Sequence, residues 1–382
     1  MKKPLLMFVV TEDWYFLSHR MPTVKGAQAA GYDVAVVTAD GSARAAIEAQ
    51  GVRIIPFSFD RRSLNPFKAL RQIGRLRRIY QAEKPQIIHH IAMKPILFGT
   101  IAAIGASAPH VVNAFAGLGY VFSAQTALAR AMRLALIPAF RIILNRPGYV
   151  VLFQNRDDRA LLQKLRALPS SAGNTVLIRG SGVDTKALQP SPLPDDGGDF
   201  ICVFAGRMIG IKGLPTLQEA FARLQRQYPR IKLWLCGQPD PGNPGSWTQE
   251  QIDAWAKENP NVIFKGHCLM NHIWPQAHAA LQPSYGGEGI PKSLLEAAAC
   301  GRPIIATDVP GCRDMVDEAV NGFLVPPHDA ALLAERIALL AGDRALCQRM
   351  GQASRALVEG ELSADAVTEK TQALYESLRA AA

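Results

Sequence analysis

Two glutamates stand eight positions apart in the segment GGEGIPKSLLEAAACG, residues 286–301, around a glycine-rich turn and a short helix-like run. Carboxylates at Glu288 and Glu296 can accept hydrogen bonds from the hydroxyls of a sugar, as the acidic residue of a dinucleotide-binding fold does from ribose. The plainer alternative is that Glu296 only interacts with the helix dipole and that the glycines form a tight turn. The spacing therefore raises the hypothesis of a nucleotide-sugar site and leaves the alternative open.

The residues between the two glutamates predict a helix start that can bind an anion. Gly287 and Gly289 permit positive φ and a close approach of backbone. Pro291 suits the first helical position, and Gly301 suits the stop. The first amides of a helix have no intrahelical acceptor and carry the positive end of its dipole, so they favour phosphate. The amides concerned are those of Lys292, Ser293 and Leu294.

A second glycine-flanked loop, FAGRMIGIKG at residues 204–213, follows a strand-like run and precedes a helix-like run. Arg207 and Lys212 in this loop can stabilise the charge that a leaving diphosphate gathers when its bond to a sugar breaks. The sequence contains no D-x-D pair of carboxylates for a divalent metal. We therefore expect these cations to replace the metal, and we expect no cofactor. The alternative is that both are solvated surface cations.

Together these motifs resemble those of the large family-four group of retaining glycosyltransferases with the GT-B fold. The resemblance rests on FAGRMIGIKG, on EGIPKSLLEAAACGRPIIATDVPGC and on NGFLV, and it covers most of residues 200–330. It implies that Arg207 and Lys212 bind the donor diphosphate and that Glu288 contacts the transferred sugar. It also implies that Glu296 contacts the ribose. We assign the first three to catalysis and Glu296, with the turn and the helix start, to donor binding.

The first half of the chain is similar to the branch of the family that extends sugars on polyprenyl-diphosphate carriers for bacterial surface polysaccharides or glycans. This resemblance rests on TEDWYFLSHRMP after the first strand, on HHIAMKP and on NAFAGLGYVF. Members often have a functional histidine in the segment that here reads VVNAFAG, which has none. The candidate acceptor or cleft residues are His19, His89, His90, Lys94 and Asn113. For each histidine, the alternative is a structural role at a strand end or in a loop.

Strand-like apolar runs alternate with amphipathic helix-length runs along the chain, which predicts parallel α/β sheets. A stretch rich in Gly, Pro and Asp interrupts this pattern, and we place an interdomain linker at 186–199. The predicted fold is two doubly wound Rossmann-like domains facing a cleft, residues 1–185 and 200–382, with ligands at the carboxyl ends of the strands. The final helices are expected to pack back on the first domain.

Composition limits the class of protein. The 382 residues are 48% apolar and 19% charged, which is typical of a globular chain, and no apolar run reaches the ~18 residues of a spanning helix. All six cysteines fall in the second half without regular spacing. This favours reduced thiols in the cytoplasm and argues against a zinc site.

Charge is divided unevenly along the chain. Residues 1–190 contain 25 Lys and Arg against 10 Asp and Glu, a net +15, whereas residues 191–382 contain 17 against 22, a net −5. The densest part is a predicted basic helix within 61–80 that contains no acid. Its cations are Arg61, Arg62, Lys68, Arg71, Arg75, Arg77 and Arg78. The apolar stripe that we expect to pack in the core is Leu64, Phe67, Leu70, Ile73, Leu76 and Tyr80. The cations would face an anionic membrane; the alternative is an ordinary surface helix.

These observations predict a cytoplasmic enzyme, peripheral on the cytoplasmic face of the inner membrane. It would transfer a sugar from a nucleotide-sugar, most simply a UDP-sugar, to a polyprenyl-diphosphate-linked saccharide with retention, by front-face attack. A nucleotide-sugar 2-epimerase of the same fold is the alternative enzyme. A nucleic-acid binder, suggested only by the pI of about 9.4, is disfavoured because the charge lacks the interleaved aromatic residues of single-strand platforms.

Overall fold

A computed structural model of the chain describes residues 3–60, 65–123, 126–168, 173–195 and 197–380. The chain folds into two compact units. The first contains Met1–Gly182 together with Ala364–Ala382, and the second contains Val183–Ser363. Each unit is built on a parallel sheet with helices on its faces. The prediction of two Rossmann-like domains is confirmed.

In the part of the first unit that the structure describes, seven parallel strands lie in the order β3-β2-β1-β4-β5-β6-β7. The central strands are buried on both faces, which explains their nearly continuous apolar sequences. The order reverses direction between β1 and β4, which places the topological switch point there. The strands are β1 (Leu5–Val9), β2 (Asp33–Thr38), β3 (Arg53–Pro56), β4 (Ile87–Ile91), β5 (His110–Phe115), β6 (Tyr149–Phe153) and β7 (Thr175–Leu177).

The helices of the first unit cover two different faces of this sheet. Successive strand residues point to opposite faces. Leu6 and Phe8 pack with α1 and α14, whereas Met7 and Val9 pack with α3 and α4. Val151 lies on the second face and packs with α6 and α7. The helices are α1 (Asp13–Ala29), α2 (Arg44–Glu48), α3 (Pro66–Glu83), α4 (Thr100–Gly105), α5 (Gly119–Ser123), α6 (Ala127–Ile143), α7 (Arg156–Lys164) and α14 (Ala364–Ala380).

The described residues of the second unit form a parallel sheet in the order β10-β9-β8-β11-β12-β13, with its switch point between β8 and β11. The strands are β8 (Phe200–Ala205), β9 (Ile231–Cys236), β10 (Val262–Gly266), β11 (Ala279–Gln282), β12 (Ile304–Thr307) and β13 (Gly322–Val325). The helices are α8 (Leu214–Gln227), α9 (Gln249–Glu258), α10 (Met270–Ile273), α11 (Lys292–Ala299), α12 (Ala330–Gly342) and α13 (Arg344–Glu359).

The segment that we placed as a linker, 186–199, belongs to the second unit. Three arginines of that unit bind its backbone carbonyls. Arg302 donates to Ser191 O at 2.8 Å, Arg355 to Leu188 O at 2.7 Å, and Arg344 to Leu193 O at 2.9 Å. Glycine and proline content alone cannot distinguish a free linker from an irregular segment that is fastened by side chains, and here the second applies.

The C-terminal helix α14 groups with the first unit rather than with the helices that precede it. It packs against α1, where Gly26 allows the close approach: a Cβ at this position would lie 2.3 Å from Thr368 Cγ2. Tyr375 of α14 is buried and hydrogen-bonded to His89 of β4, with 2.6 Å between the phenol oxygen and Nδ1. The last helix is thus part of the first core.

The basic helix predicted at 61–80 forms over Pro66–Glu83, and part of its apolar stripe is not in the core. Asn65 caps the start by accepting from the amide of Phe67 at 2.9 Å. Leu76 and Tyr80 are buried as predicted, but Phe67 is 79% exposed and Leu70 is 65% exposed. The first turns of α3 therefore present apolar and basic side chains together.

Arg61, Arg62 and Leu64 of the predicted segment 61–80 lie outside the described residues. Within the described ranges, no helix is both long enough and apolar enough to cross a bilayer.

We predict that Arg302→Ala destabilises the second unit strongly. The Arg302 side chain is fully buried and donates to Ser191 O, Trp274 O and Pro275 O at 2.8, 2.8 and 3.2 Å. A buried carbonyl that loses its donor costs about 1–3 kcal/mol. We therefore expect a loss of at least ~3 kcal/mol in the free energy of unfolding, measured by urea titration.

The matched control is Arg344→Ala, whose exposed guanidinium donates to Leu193 O and Pro194 O. Water can replace those donors, so we expect a loss below about 1 kcal/mol. Equal losses of unfolding free energy for the two variants would contradict a stabilising role for the buried hydrogen bonds of Arg302.

Candidate active site

The loops that carry the predicted donor residues meet at the switch point of the second sheet. β8 and β11 are adjacent parallel strands, paired from Ala279↔Cys202 to Leu281↔Phe204. Their carboxyl ends therefore lie side by side, and the loop 206–213 after β8 adjoins the turn 283–291 after β11. Gly213 shows how close they are: its φ is +86°, and a Cβ there would lie 2.0 Å from Pro283 O.

A partly buried ion pair joins these two loops. The Nζ of Lys212 binds the Oε1 of Glu288, and the two side chains are only 16% and 14% exposed. The same carboxylate oxygen accepts from Ser284 Oγ at 2.9 Å, and Ser284 Oγ accepts in turn from Gln282 Nε2 at 2.7 Å. Two residues that the sequence analysis assigned separately to catalysis are thus in direct contact.

Arg207 lies in the same loop and has a partner that the sequence analysis missed. Its Nη1 donates to Asp240 Oδ2 at 2.7 Å, and its side chain is 39% exposed while that of Asp240 is 14% exposed. Asp240 belongs to the glycine- and proline-rich loop after β9, the neighbour of β8. A polar loop at the carboxyl end of an adjacent strand was the available signal.

The glycine turn has the backbone conformation that its composition predicts. Gly286 and Gly287 have φ of +125° and +77°, the region in which side chains are disfavoured. Gly289 does not have positive φ, but its carbonyl lies against Gly311, where a Cβ would be only 1.5 Å from that oxygen. Gly311 thus permits the backbone around Glu288 to close against the loop after β12.

The helix start after the turn differs in detail from the prediction. Pro291 is the N-cap, with φ −64° and ψ 125°, and Lys292 is the first helical residue. The amide of Leu294 is not available to an anion because it donates to Pro291 O at 3.1 Å. Ser293 precedes the intrahelical ladder, and its hydroxyl donates to Gln282 Oε1 at 3.2 Å. Of the three amides predicted to form an anion site, the amide of Leu294 is thus already hydrogen-bonded within the helix.

Glu296 lies in a drier environment than an ordinary surface carboxylate. Burial raises its pKa, and the nearby Lys292 ammonium opposes that shift. Lys292 Nζ lies 3.5 Å from Glu296 Oε1 across one helical turn. A carboxylate that is only 17% exposed has few water partners, so its oxygens are suited to accept hydrogen bonds from hydroxyl groups.

The charged side chains and the helix start of this site can bind phosphate and hydroxyl groups. Three cations, one helix start and three carboxylates are grouped within the second unit at the carboxyl edge of its sheet. The cations and the helix start favour a phosphate group, and the carboxylates favour hydroxyl groups. In the portion of the chain that the structure describes, no group of three or more His, Cys, Asp or Glu is placed to hold a metal ion.

Two protein-family models match the chain. The family described as "Glycosyl transferases group 1" matches residues 186–357, and the family described as "Glycosyl transferase 4-like" matches residues 6–150. The chain is a family-four glycosyltransferase. The match over 186–357 contains all of the candidate site residues described above. The match over 6–150 contains the strands around the switch point of the first unit.

Individual relatives resemble this glycosyltransferase along most of its length. The N,N'-diacetylbacillosaminyl-diphospho-undecaprenol alpha-1,3-N-acetylgalactosaminyltransferase of Campylobacter jejuni is 24% identical, over 87% of this chain and 90% of that protein. The capsular polysaccharide biosynthesis glycosyltransferase CapM of Staphylococcus aureus is 24% identical, over 90% of this chain and 89% of that protein. HepE of Anabaena, solved with UDP and glucose, is 18% identical with a TM-score of 0.77, over 98% of this chain and 100% of that chain. The fold is therefore GT-B.

In the first unit of the glycosyltransferase, the candidate residues of β4 and β5 form a buried network. His90 is fully buried, with Nε2 3.0 Å from Tyr80 OH and Nδ1 2.9 Å from Asn113 Oδ1. Thr100 Oγ1 also donates to Asn113 Oδ1 at 2.8 Å. Both ring nitrogens of His90 thus have protein partners, and the network links β4 and β5 to α3 and α4.

The remaining candidates of the first unit are spread around its switch point. His89 stacks on Phe8 at 5.2 Å between ring centroids, and its Nε2 is buried without a hydrogen-bond partner. His19 is half-buried in α1, stacked on Tyr15 at 4.2 Å. Lys94 follows β4, and its ammonium donates to Asp60 O. The structure therefore brings His90 and Asn113 into contact and places His19, His89 and Lys94 on separate partners.

The buried histidines predict that acid weakens the fold. Burial lowers the pKa of His90 to about 4 and lowers that of His89 well below its ordinary value. Unfolded histidine has a pKa of about 6.5, so the unfolded chain binds more protons as the pH falls between these values. Stability is unaffected above about pH 7 and is lost as the pH drops from about 6.5 toward 4, by roughly 3 kcal/mol for His90 alone.

Urea unfolding of the full chain between pH 7.5 and 4 would measure this loss. His272→Gln, which changes an exposed histidine, should leave the pH dependence as in the wild type. An unfolding free energy that is constant across this pH range would show that neither histidine is held neutral.

Proposed function

We propose that this glycosyltransferase moves a sugar from a UDP-sugar to a polyprenyl-diphosphate-linked saccharide, with retention, in the assembly of a surface polysaccharide or glycan. The acceptor class is supported by the Campylobacter relative, whose name describes transfer to an undecaprenyl-diphosphate-linked sugar. The role in polysaccharide assembly is supported by CapM. The UDP donor is supported by HepE, which binds UDP with the same fold.

One observation carries the proposal: Lys212 and Glu288 are paired at the switch point, beside Arg207. An ammonium has three donors and a guanidinium has five, so each cation can hold its carboxylate and also donate to a phosphate oxygen. The low exposure of Lys212 strengthens its attraction to the diphosphate. These two cations would then do what a divalent metal does elsewhere, so we propose a metal-independent enzyme.

The proposed chemical step is a front-face displacement. The bond between the anomeric carbon and the diphosphate oxygen breaks, and the acceptor hydroxyl oxygen forms its bond to the same face of that carbon. The hydroxyl proton passes to the departing diphosphate, whose oxygen gains the electron pair. Arg207 and Lys212 stabilise the developing negative charge, and Glu288 accepts hydrogen bonds from the sugar hydroxyls.

The charge division supports a location on the cytoplasmic face of the inner membrane. A polyprenyl-linked acceptor keeps its lipid in the bilayer, so the unit that receives it must approach the headgroups. Residues 1–190 carry the net +15 and residues 191–382 the net −5. Anionic lipids attract the first and not the second. In this proposal the first unit is peripheral on the membrane and the second binds the soluble donor.

The two glutamates should have separable effects. Glu296→Gln keeps shape and removes charge, so we expect weaker binding of both UDP and the UDP-sugar through the ribose. Glu288→Gln should reduce turnover more than affinity for free UDP, because it contacts the transferred sugar. Thermal-shift titrations with UDP and with UDP-, GDP-, ADP- and CMP-sugars measure binding, since a ligand at 100 times its Kd adds about 2.7 kcal/mol to stability.

The outcome that refutes these assignments is a pair of small and equal effects on both quantities. Conversion of the donor without any acceptor would instead favour the 2-epimerase.

Removing either cation should cost catalysis. We expect Arg207→Ala and Lys212→Ala each to lower turnover by ~100-fold or more, as for a preorganised donor at a charge-stabilising site. Arg223→Ala is the matched control, because Arg223 is exposed on α8 and pairs along its helix with Glu219, 2.8 Å away; its turnover should equal that of the wild type. Turnover of the wild type should also persist in EDTA. Loss of activity on chelation that magnesium or manganese restores would refute the metal-independent step.

A further inference from the structure

The first unit exposes an apolar helix face that its own core does not cover. Helix α6 is held to the sheet by Phe140 and Ile143, and Phe140 meets Phe115 edge-on at 5.7 Å between ring centroids. On the opposite side, Leu128 is 54% exposed, Leu134 76% and Ile142 70%. At 100° per residue, these three side chains fall on one side of the helix, with Ala131, Ala135 and Pro138 between them.

Exposed apolar side chains of the first unit are concentrated on one sheet face. Among the residues that the structure describes, this unit has seven large apolar side chains that are exposed, and six of them lie on α3, α4 and α6. These helices cover the same face, opposite α1 and α14. The six are Phe67, Leu70, Ile101, Leu128, Leu134 and Ile142. Three of the six share one side of α6, and an apolar helix side that the core leaves uncovered usually marks an interaction surface.

The charge of this surface selects its partner. From residue 84 to residue 156 the sequence has seven Lys and Arg and no Asp or Glu. At 100° per residue, Arg130 and Arg141 lie along one edge of the exposed side of α6. On α3, Lys68 and Arg71 lie within about one turn of Phe67, and Arg75 lies over the ring of Phe57. A second copy docked on the same surface would bring like charges together, which is unfavourable. An anionic leaflet satisfies both the cations and the apolar side chains.

We propose that the exposed apolar side of α6 inserts into an anionic membrane leaflet, with the cations of α3 and α6 on the headgroups. The inference deepens the proposed function and rests on it for the lipid-linked acceptor. Attachment then has two parts: an electrostatic part that salt screens, with a Debye length of about 3 Å at 1 M, and an apolar part that salt does not screen.

The test is flotation of the full-length protein with phosphatidylglycerol vesicles and with phosphatidylcholine vesicles, at low salt and in 1 M salt. We expect the wild type to float with the anionic vesicles at low salt and to remain partly bound in 1 M salt. The double variant Leu134→Ser, Ile142→Ser should lower partitioning at least ~tenfold, since two large apolar side chains no longer enter the bilayer, and should lose the salt-resistant fraction. The triple variant Arg71→Glu, Arg75→Glu, Arg78→Glu should lose mainly the salt-sensitive fraction.

A matched control removes two exposed apolar side chains from the second unit. Leu269→Ser, Val320→Ser changes residues that are 67% and 58% exposed and should float as the wild type does. The inference is overturned if the α6 variant partitions like the wild type, if the wild type ignores anionic vesicles, or if light scattering shows a dimer that the α6 variant dissociates. UDP binding, measured on the same samples, should be unchanged in every variant. Absence of UDP binding in the wild type would refute the donor proposal and leave the flotation result to decide this one.

Discussion

The contact between Lys212 and Glu288 depends first on the pairing of β8 with β11, which brings the loops that carry the two side chains together. Residues 206–278, 73 in all, separate the end of β8 from the start of β11 in the chain. The two strands are nevertheless neighbours in the sheet, because the strand order reverses there. A partly buried charge is costly without a partner, so the ion pair between Lys212 and Glu288 holds the two loops together. Gly213 and Gly311 allow the close backbone packing that brings the loops together.

The same reasoning explains why the site is formed mainly by loops and helix starts. Interior positions of the parallel strands are occupied by apolar side chains that hold the two faces, as in Val203 and Phe204 of β8. In the second sheet, the polar side chains of the candidate site are therefore found where the strands end. Arg207, Asp240 and Glu288 follow three adjacent strands at this edge. The chemistry is grouped because the ends of parallel strands are grouped.

The first unit shows how a functional pattern and a structural one can look alike in sequence. His89 and His90 end a strand near a switch point, which is where ligands bind in such folds. In the structure His90 instead links Tyr80 of α3 to Asn113 of β5. The helices on that face are attached by their buried sides, and their outer sides remain apolar and basic. Periodicity alone did not show which apolar side chains of a helix are buried: Phe67 belongs to the apolar stripe of α3 but is exposed.

The sequence by itself determined the two-sheet architecture, since alternation of buried strands and amphipathic helices has a fixed period and needs no distant information. It also located the two loops of the candidate site, because glycine with positive φ and a helix start are local properties. Only the tertiary structure decided which side chains meet. The partner of Arg207 is Asp240 from another loop, and segment 186–199 is fastened by Arg302 from the distant loop between α11 and β12. Such contacts depend on strand order and on burial, which join residues far apart in the chain and leave no periodic signal in it.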